Sequence, residues 1–352
     1  MPSFTAHADA PAGHLPGRLA TADLNDDCLP DVILMSGSPG LANVYFNQGG
    51  GAFAAPVSYA TGTSPQTPVV GDFNGDGKPD LAVPTLSNTL EVRFNQGGGT
   101  FGAPVVYPAG SSPVGLAAGD FDGDGLLDLA AVSRGTNAVL IFQNQGGGVF
   151  TQTGSLAIGA NSFSVISGDF DGDGKPDLAV SGFSGVTVLL NQGGGAFAAG
   201  VDYPTGTLVL SLASGDFDGD GKLDIVATNL INNSAAVLLN QGGGAFAAAV
   251  NYATPSSPSA VVVGDFNDDG KLDFVVSAGP SSTANLYLNQ GGGAFAAPVA
   301  FGTGDYPSDI AVGDFNGDGL PDLFTSNNHG DTVSVLLNDA SVAASPCQNG
   351  GT

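Results

Sequence analysis

A nine-residue acidic pattern, Asp-x-Asp/Asn-x-Asp-Gly-x-x-Asp, recurs seven times along this chain of 352 residues, the first time with its glycine replaced. The intervals between successive copies are 49, 48, 49, 47, 49 and 49 residues. Periods in this range are typical of solenoids, propellers and repeat arrays, so length alone is a poor guide to domain number. The seven copies start at Asp23, Asp72, Asp120, Asp169, Asp216, Asp265 and Asp314.

Each repeat contains four short apolar or β-branched segments. In the second repeat, segments 67–73 and 81–85 flank the acidic loop, 90–95 follows, and 101–108 comes after a glycine turn. No segment has helical periodicity. Four antiparallel strands per repeat predict an all-β, seven-bladed β-propeller. A WD-type propeller would need its Trp-Asp signature, and the chain has no Trp.

A second motif, Asn-Gln-Gly-Gly-Gly, marks the turn before the fourth segment. Consecutive glycines suit the positive φ angles of hairpin turns, so these motifs are interpreted as structural. The seventh repeat has Asn338-Asp339-Ala340 in this place, and the repeats end there. The six complete copies start at Asn47, Asn95, Asn144, Asn191, Asn240 and Asn289.

The two ends of the chain predict how the ring closes. Phe53 precedes the second acidic loop by 19 residues, and Phe4 precedes the first by the same distance. Residues 4–10 are therefore expected to supply the outer strand of the last blade, since an open ring would expose strand edges. The alternative is that 340–346 supplies it. The propeller is expected to span 4–338, with 339–352 as a tail.

The acidic loops have the donors of a Ca²⁺ site. Side chains at positions one, three, five and nine, with the carbonyl of position seven, can surround one ion, and glycine at position six allows the bend. The Lys78 side chain at position seven is expected to point to water. Without metal, carboxylates about 5 Å apart would repel by roughly 3 kcal/mol per pair. The predicted ligands are Asp23, Asn25, Asp27, Leu29, Asp31; Asp72, Asn74, Asp76, Lys78, Asp80; Asp120, Asp122, Asp124, Leu126, Asp128; Asp169, Asp171, Asp173, Lys175, Asp177; Asp216, Asp218, Asp220, Lys222, Asp224; Asp265, Asn267, Asp269, Lys271, Asp273; and Asp314, Asn316, Asp318, Leu320, Asp322.

The first loop departs from the pattern at two positions. Cys28 replaces the glycine, and Leu24 replaces the Phe that the other six loops have at position two. A β-carbon at a positive-φ position is strained, so this site is expected to be the weakest of the seven. The Phe residues, such as Phe73 and Phe121, are expected to pack between blades.

The charge of the chain is concentrated in these loops. The formal charge is −26, and 26 of the 32 Asp residues lie in the seven loops. Seven Ca²⁺ ions would leave about −12. A chain with only 7 Lys and Arg lacks the basic surface that nucleic-acid binding requires. No apolar window is long enough for a membrane span, and the first residues have no signal-peptide pattern. A monomeric propeller is expected.

The acidic loops resemble those of the FG-GAP/VCBS repeat family, which includes the head domains of integrin α-subunits. The segments DFNGDGKPDLAV (72–83) and DFDGDGKPDLAV (169–180) carry the resemblance. It implies a seven-bladed propeller with Ca²⁺ loops between strands one and two, and an extracellular or cell-surface location. It also implies that ligands meet the loops on the face opposite the calcium. Arg134, Tyr306 and His329 are the candidate ligand-binding residues on that face.

The function predicted from these observations is non-enzymatic recognition of a glycan or extracellular protein. Two alternatives are a scaffold domain of a larger surface protein and a polysaccharide lyase-like enzyme. A lyase needs a base and a charge neutraliser near the substrate, and the few His and Arg residues are scattered over different repeats. The segment around Cys347 also resembles the start of an EGF-like module; pairing of Cys347 with Cys28 is the other interpretation.

Overall fold

Seven four-stranded antiparallel sheets form the blades of a closed propeller. The structure, a computed structural model, describes residues 2–5 and 8–339. The tail beyond residue 339, with Cys347 and the alternative closing segment, lies outside the described residues. The all-β, seven-bladed prediction is confirmed. None of the helical segments in the described part of the chain could span a lipid bilayer.

The strands are numbered β1 to β34 along the chain, and the blades 1 to 7 in the order of their first strands. The chain opens with β1 (Ala8–Pro11). Blade 1 contains β2 (Pro16–Ala22), β3 (Asp31–Ser36), β4 (Leu41–Tyr45) and β5 (Val57–Ala60). Blade 2 contains β6 (Val69–Gly71), β7 (Asp80–Thr85), β8 (Thr89–Arg93) and β9 (Val105–Pro108). Blade 3 contains β10 (Pro113–Gly119), β11 (Asp128–Ser133), β12 (Ala138–Asn144) and β13 (Phe150–Ala157).

Blades 4 to 6 each add a two-stranded hairpin at the glycine turn. Blade 4 contains β14 (Val165–Gly168), β15 (Asp177–Ser181), β16 (Gly185–Leu189), the hairpin β17 (Asn191–Gly193) and β18 (Ala196–Phe197), and β19 (Val201–Pro204). Blade 5 contains β20 (Val209–Gly215), β21 (Asp224–Asn229), β22 (Ser234–Leu238), the hairpin β23 (Asn240–Gly242) and β24 (Ala245–Phe246), and β25 (Val250–Ala253). Blade 6 contains β26 (Pro258–Gly264), β27 (Asp273–Ala278), a 3₁₀ turn (Gly279–Ser281), β28 (Thr283–Tyr287), the hairpin β29 (Asn289–Gly291) and β30 (Ala294–Phe295), and β31 (Val299–Gly302).

Blade 7 joins the two ends of the chain. It contains β32 (Pro307–Gly313), β33 (Asp322–Asn327) and β34 (Thr332–Leu336), and its fourth strand is β1. Ala8 faces Val335 in antiparallel register, and Phe4 forms a further bridge to Asn338. The predicted closure by the N-terminal segment is therefore confirmed, and its strand β1 ends at Pro11, one residue beyond the predicted range. Closure removes two free sheet edges.

The core consists of seven apolar clusters, one at each boundary between neighbouring blades. Strands two and three of each blade lie between two neighbours and are almost entirely buried. The residue at position two of each acidic loop is buried in one of these clusters. Phe73, for example, packs edge-to-face on Phe150 of the next blade, with ring centroids 6.0 Å apart. Interblade packing of these residues is thus confirmed.

The strand order places two kinds of loop on two faces of the ring. The acidic loops between strands one and two, and the glycine turns between strands three and four, lie at one end of the strands; we name this the metal face. The hairpins between strands two and three, and the connections between blades, lie at the other end. We name this the opposite face.

Candidate metal centres

The first aspartate of each acidic loop organises the loop backbone. In blade 3, Asp120 Oδ1 accepts hydrogen bonds from the N–H groups of Gly123 and Asp124, at 2.7 and 3.1 Å, and Oδ2 accepts one from Gly125 at 2.8 Å. The loop backbone therefore wraps around this carboxylate. Gly125 has φ +89°, a conformation that glycine adopts without strain.

The ninth aspartate anchors the loop to the glycine turn of its own blade. Asp128 is fully buried; its Oδ2 accepts the Phe121 N–H at 3.0 Å and its Oδ1 accepts the Asn144 N–H at 2.7 Å. The same two bonds occur in all seven blades. Each carboxylate oxygen keeps a second lone pair that can bind a cation.

Burial raises the pKa of these ninth-position carboxylates, and neighbouring carboxylates raise it further. Burial is the larger cause, and the backbone hydrogen bonds oppose it. The pKa of Asp80 is raised, and that of Asp322 reaches about 7. It reaches about 6 for Asp31, Asp128, Asp177, Asp224 and Asp273. The loops thus hold carboxylates at a position that disfavours their charged form unless a cation is bound.

Three loops gather carboxylates from positions one, three and nine. In each group one oxygen per residue lies within 4.8 Å of the others, as a shared ion requires; the groups are Asp120, Asp122, Asp128; Asp169, Asp171, Asp177; and Asp216, Asp218, Asp224. These oxygen-only donor sets fit a hard cation such as Ca²⁺. When bound, Ca²⁺ would supply the positive charge that allows all three carboxylates to ionise. In the other four loops position one is Asp and position three is Asn, namely Asn25, Asn74, Asn267 and Asn316.

The fifth-position aspartates, also predicted as ligands, have hydrogen bonds of their own within the loop. Their carboxylates lie outside the three groups, and in blade 3 Asp124 Oδ1 accepts the N–H of Leu126 at 2.9 Å. At the seventh position, the Lys78 side chain was expected to point to water; it is 42% exposed, and it also forms an ion pair within the loop. Lys78 Nζ donates to Asp76 Oδ2 at 2.7 Å, and Lys175, Lys222 and Lys271 form the same pair with the fifth-position aspartate of their own loops. An ammonium group next to several carboxylates is attracted to the nearest one, and this hydrogen bond lowers the pKa of Asp76.

The asparagine that begins each glycine turn links neighbouring blades, a role that the sequence interpretation missed. The Asn144 side-chain amide donates to the Phe73 carbonyl oxygen of blade 2 at 2.8 Å and to the Leu127 carbonyl oxygen at 3.1 Å. Its Oδ1 accepts the Gly146 N–H at 3.0 Å. All seven blades have the equivalent interblade bond, including the incomplete turn at Asn338. The retained Asn338, where the glycines are lost, was the signal in the sequence.

The first loop keeps the backbone geometry despite its substitutions. Cys28 has φ +68°, as expected, and its N–H donates to Asp23 Oδ2 at 2.7 Å. Asp26 also has a positive φ, +65°. The Leu24 N–H donates to Asp31 Oδ2 at 3.0 Å, as in the other loops. The loop is therefore formed at the cost of two non-glycine residues in left-handed conformations.

Comparison with known families decides the classification of these loops. An FG-GAP-like repeat model matches six overlapping segments: 23–83, 72–131, 120–180, 169–227, 216–276 and 268–325. The chain belongs to the FG-GAP-like repeat family. No curated protein matches it significantly.

Solved structures share this propeller architecture at low sequence identity. A lectin of Agrocybe aegerita described as recognising non-reducing terminal N-acetylglucosamine is 21% identical, with a TM-score of 0.61; the match covers 92% of this chain and 86% of the lectin. Virginiamycin B lyase from Staphylococcus aureus is 10% identical, with a TM-score of 0.68, covering 96% of this chain and 100% of that one. The N-terminal part of BBS1, solved in complex with ARL6, is 10% identical with a TM-score of 0.67, covering 97% and 99%. At these identities the FG-GAP-like chain shares a fold with each.

The three candidate ligand-binding residues lie on the opposite face, in two separate places. In blade 3, the Arg134 guanidinium lies 4.3 Å from the ring centroid of Phe163. In blade 7, Tyr306 and His329 stack with their ring centroids 4.1 Å apart. The fold therefore brings Tyr306 and His329 together but places Arg134 in another part of the ring.

Proposed function

We propose that this FG-GAP-like propeller is a calcium-stabilised, non-enzymatic recognition module that binds a glycan or an extracellular protein through its opposite face. The observation that carries this proposal is a set of exposed apolar side chains at hairpin tips. Leu86, Phe183 and Ile231, in blades 2, 4 and 5, are 43%, 47% and 58% exposed. Exposed apolar side chains mark a binding surface where they lie together. The hairpins of Phe183 and Ile231 are neighbours, because the Leu208 N–H donates to the Phe183 carbonyl oxygen and the Leu208 carbonyl oxygen accepts the Leu230 N–H. Their position inside otherwise polar loop segments was the sequence signal for them.

In this proposal the metal face stabilises the ring, and the opposite face binds the ligand. On the metal face, hydrogen bonds between carboxylates, loop backbone and glycine turns fix the blades to one another. The opposite face carries loops that differ from blade to blade, which is the usual place for binding residues on a rigid scaffold. Calcium therefore acts on ligand binding through the stability of the ring, and not by touching the ligand.

The aromatic groups on the opposite face favour a glycan or a polypeptide over a small anion. The stacked rings of Tyr306 and His329 offer a flat surface, and the cation–π pair of Arg134 and Phe163 offers a second. Such surfaces pack against the apolar faces of sugars or against side chains. The fold shared with the N-acetylglucosamine lectin is compatible with glycan binding.

The side-chain environment supports a binding role rather than catalysis. His14 Nδ1 lies 3.1 Å from Asp331 Oδ2 at an exposed position, and His329 stacks on Tyr306. Neither arrangement, in the described part of the chain, resembles a base held beside a nucleophile or a substrate pocket.

A binding screen tests the proposal. The full chain, folded and in millimolar Ca²⁺, is applied to arrays of glycans and of extracellular matrix proteins. A specific signal is expected, reduced at least tenfold by the double substitution Phe183→Ser and Ile231→Ser or by Tyr306→Ala with His329→Ala. The matched control, Val201→Ser with Val250→Ser, replaces exposed valines of outer strands and should leave the signal unchanged. Absence of any signal from folded, calcium-loaded protein, or turnover of a polyuronate to an unsaturated product, would contradict the proposal.

A further inference from the structure

One position in the fourth strands differs at the ring closure. In each blade the next-to-last residue of the fourth strand pairs with the second residue of strand three; Tyr59 faces Ala42 in blade 1, and Ala10 faces Val333 in blade 7. The equivalent residues are Tyr59, Tyr107, Leu156, Tyr203, Tyr252 and Phe301 in blades 1 to 6. Ala10 is therefore the one small side chain at this position in the seven blades that the structure describes.

In blades 1, 2, 4 and 5 this position is a tyrosine, whose ring packs at the boundary with the next blade. The Tyr107 hydroxyl donates to the Gly148 carbonyl oxygen at 3.2 Å and accepts the Phe150 N–H at 3.2 Å. The ring of Tyr107 packs edge-to-face on that of Phe150, with centroids 5.8 Å apart. Tyr252 makes the same two hydrogen bonds at the boundary between blades 5 and 6. A phenol group is thus part of the boundaries that follow blades 1, 2, 4 and 5.

At the boundary between blades 7 and 1 the ring is replaced by a cavity. Its volume is about 420 Å³, and its walls are mainly apolar. Gly51 and Phe53, which line it, are the equivalents of Gly148 and Phe150. Among the described residues, no hydrogen bond uses the Phe53 N–H. The cavity is also lined by Ala10, Tyr45, Phe324 and Val335.

A buried hydroxyl adds a second polar group to this cavity. Tyr45 is 3% exposed, and its hydroxyl has no hydrogen-bond partner in the described part of the chain. The equivalent Tyr287 of blade 6 donates to the Ala253 carbonyl oxygen of blade 5 at 2.8 Å. Buried tyrosine hydroxyls usually have a partner, so the Tyr45 hydroxyl is a group that a ligand would satisfy.

We propose that this cavity is a binding site for a small neutral phenol. The ring of the phenol would pack on Phe53 as the ring of Tyr107 packs on Phe150. Its hydroxyl would lie between the Gly51 carbonyl oxygen and the Phe53 N–H. The volume exceeds that of one ring, so a ring substituent extending toward Tyr45 is accommodated, and an acceptor on it would receive the Tyr45 hydroxyl hydrogen bond. Asp9 also lines the cavity, which disfavours anionic aryl ligands such as benzoates.

Titration with p-cresol, the side-chain analogue of tyrosine, tests the site. Calcium-loaded protein is titrated by ligand-observed NMR and by isothermal calorimetry. A saturable single site with a dissociation constant on the order of a millimolar or tighter is expected. Ala10→Tyr would place the protein's own ring in the cavity, so it should raise the melting temperature and weaken p-cresol binding more than tenfold. Ala10→Leu, which copies Leu156 of blade 3, is the second variant in case the tyrosine prevents folding.

A control creates the same cavity elsewhere. Tyr107→Ala should lower the melting temperature, and p-cresol should then bind at two sites rather than one. Tyr45→Phe should leave folding unchanged. Separately, the anionic ligand p-methylbenzoate should fail to bind the wild-type protein. Absence of p-cresol binding to wild type, when Tyr107→Ala gains a site, would overturn the proposal; so would undiminished binding by both Ala10 variants.

Discussion

The Asn144 side-chain amide of blade 3 donates a hydrogen bond to the Phe73 carbonyl oxygen of blade 2 across 2.8 Å. Phe73 is the second residue of the acidic loop of blade 2, and its N–H donates to the buried carboxylate of Asp80 in the same loop. One buried amide therefore connects the metal loop of one blade to the glycine turn of the next. Repeated seven times, this bond links each candidate metal centre to a blade boundary.

Loss of one such amide should destabilise the whole ring. Asn144→Ala removes the donors to the Phe73 and Leu127 carbonyl oxygens and leaves both without their partner. Buried groups that lose a partner cost about 1–3 kcal/mol each, so we expect a loss of about 2–6 kcal/mol in the free energy of unfolding. Chemical denaturation in Ca²⁺ measures it. The adjacent, exposed Gln145→Ala should change it by less than about 0.5 kcal/mol; equal effects would show that the interblade bond contributes little.

Removal of calcium should lower the melting temperature. A ligand that binds only the folded state at 100 times its dissociation constant stabilises it by about 2.7 kcal/mol per site. Differential scanning calorimetry in 1 mM Ca²⁺ and in EDTA measures the total, and calorimetric titration counts the sites. Asp122→Ala, which removes one of three clustered carboxylates, should reduce the count by one. Asp305→Ala, an exposed aspartate outside the acidic loops, should not change it. An unchanged melt in EDTA would mean that the loops do not hold metal.

The benefit of calcium should depend on pH, in a direction that the raised carboxylate pKa values determine. A folded-state pKa of about 6 for Asp128, above the ordinary 3.8, means that the metal-free protein binds this proton more tightly than the unfolded chain does. The metal-free fold is thus favoured below about pH 4 and loses this contribution as pH rises to about 6. Calcium needs the ionised form, so its affinity should fall about tenfold between pH 7 and pH 5.

The difference in melting temperature between Ca²⁺ and EDTA, measured from pH 4.5 to 7.5, checks this. It should be largest at and above about pH 7 and shrink below about pH 6. A difference that stays constant across this range would show that the ninth-position carboxylates do not take part in binding. A substitution such as Asp128→Asn is less informative, because an amide group would bring a donor against one of the two backbone N–H groups that Asp128 accepts.

The sequence predicts most of the architecture because its period is long and its turns are chemically distinct. The 49-residue spacing and the acidic loops were sufficient to predict seven blades, the position of the metal face and the closing segment at Phe4. Side-chain contacts within a blade were harder to predict. The pairing of Lys78 with Asp76 depends on the distance between side chains two residues apart in a bent loop, which a spacing rule does not give. The tail and Cys347 lie outside the described residues, so their predictions stand untested.

Contacts between blades were the main feature that the sequence did not predict. The Asn144 amide bonds a residue 71 positions earlier in the chain, and only the closed ring brings the two together. The replacement of tyrosine by Ala10 can be read by aligning the fourth strands, but the cavity that results depends on how blade 1 packs against it. Likewise, the separation of Arg134 from Tyr306 follows from the ring and not from either hairpin.

Substitution of Cys28 by glycine should strengthen the first metal loop. Cys28 has φ +68°, in the region that costs a non-glycine residue about 1–2 kcal/mol, whereas the other loops have glycine there. Cys28→Gly, measured under reducing conditions so that disulfide chemistry plays no part, should therefore raise the free energy of unfolding by about 1 kcal/mol and increase the calcium affinity of this site. Gly77→Ala is the matched reverse change in the second loop. Its added β-carbon would meet no atom within 4 Å, so only the φ of +81° opposes it, and a loss of about 1 kcal/mol is expected. If Gly77→Ala destabilises while Cys28→Gly does too, contacts of the Cys28 side chain outweigh the backbone strain, and the first loop is adapted to its cysteine.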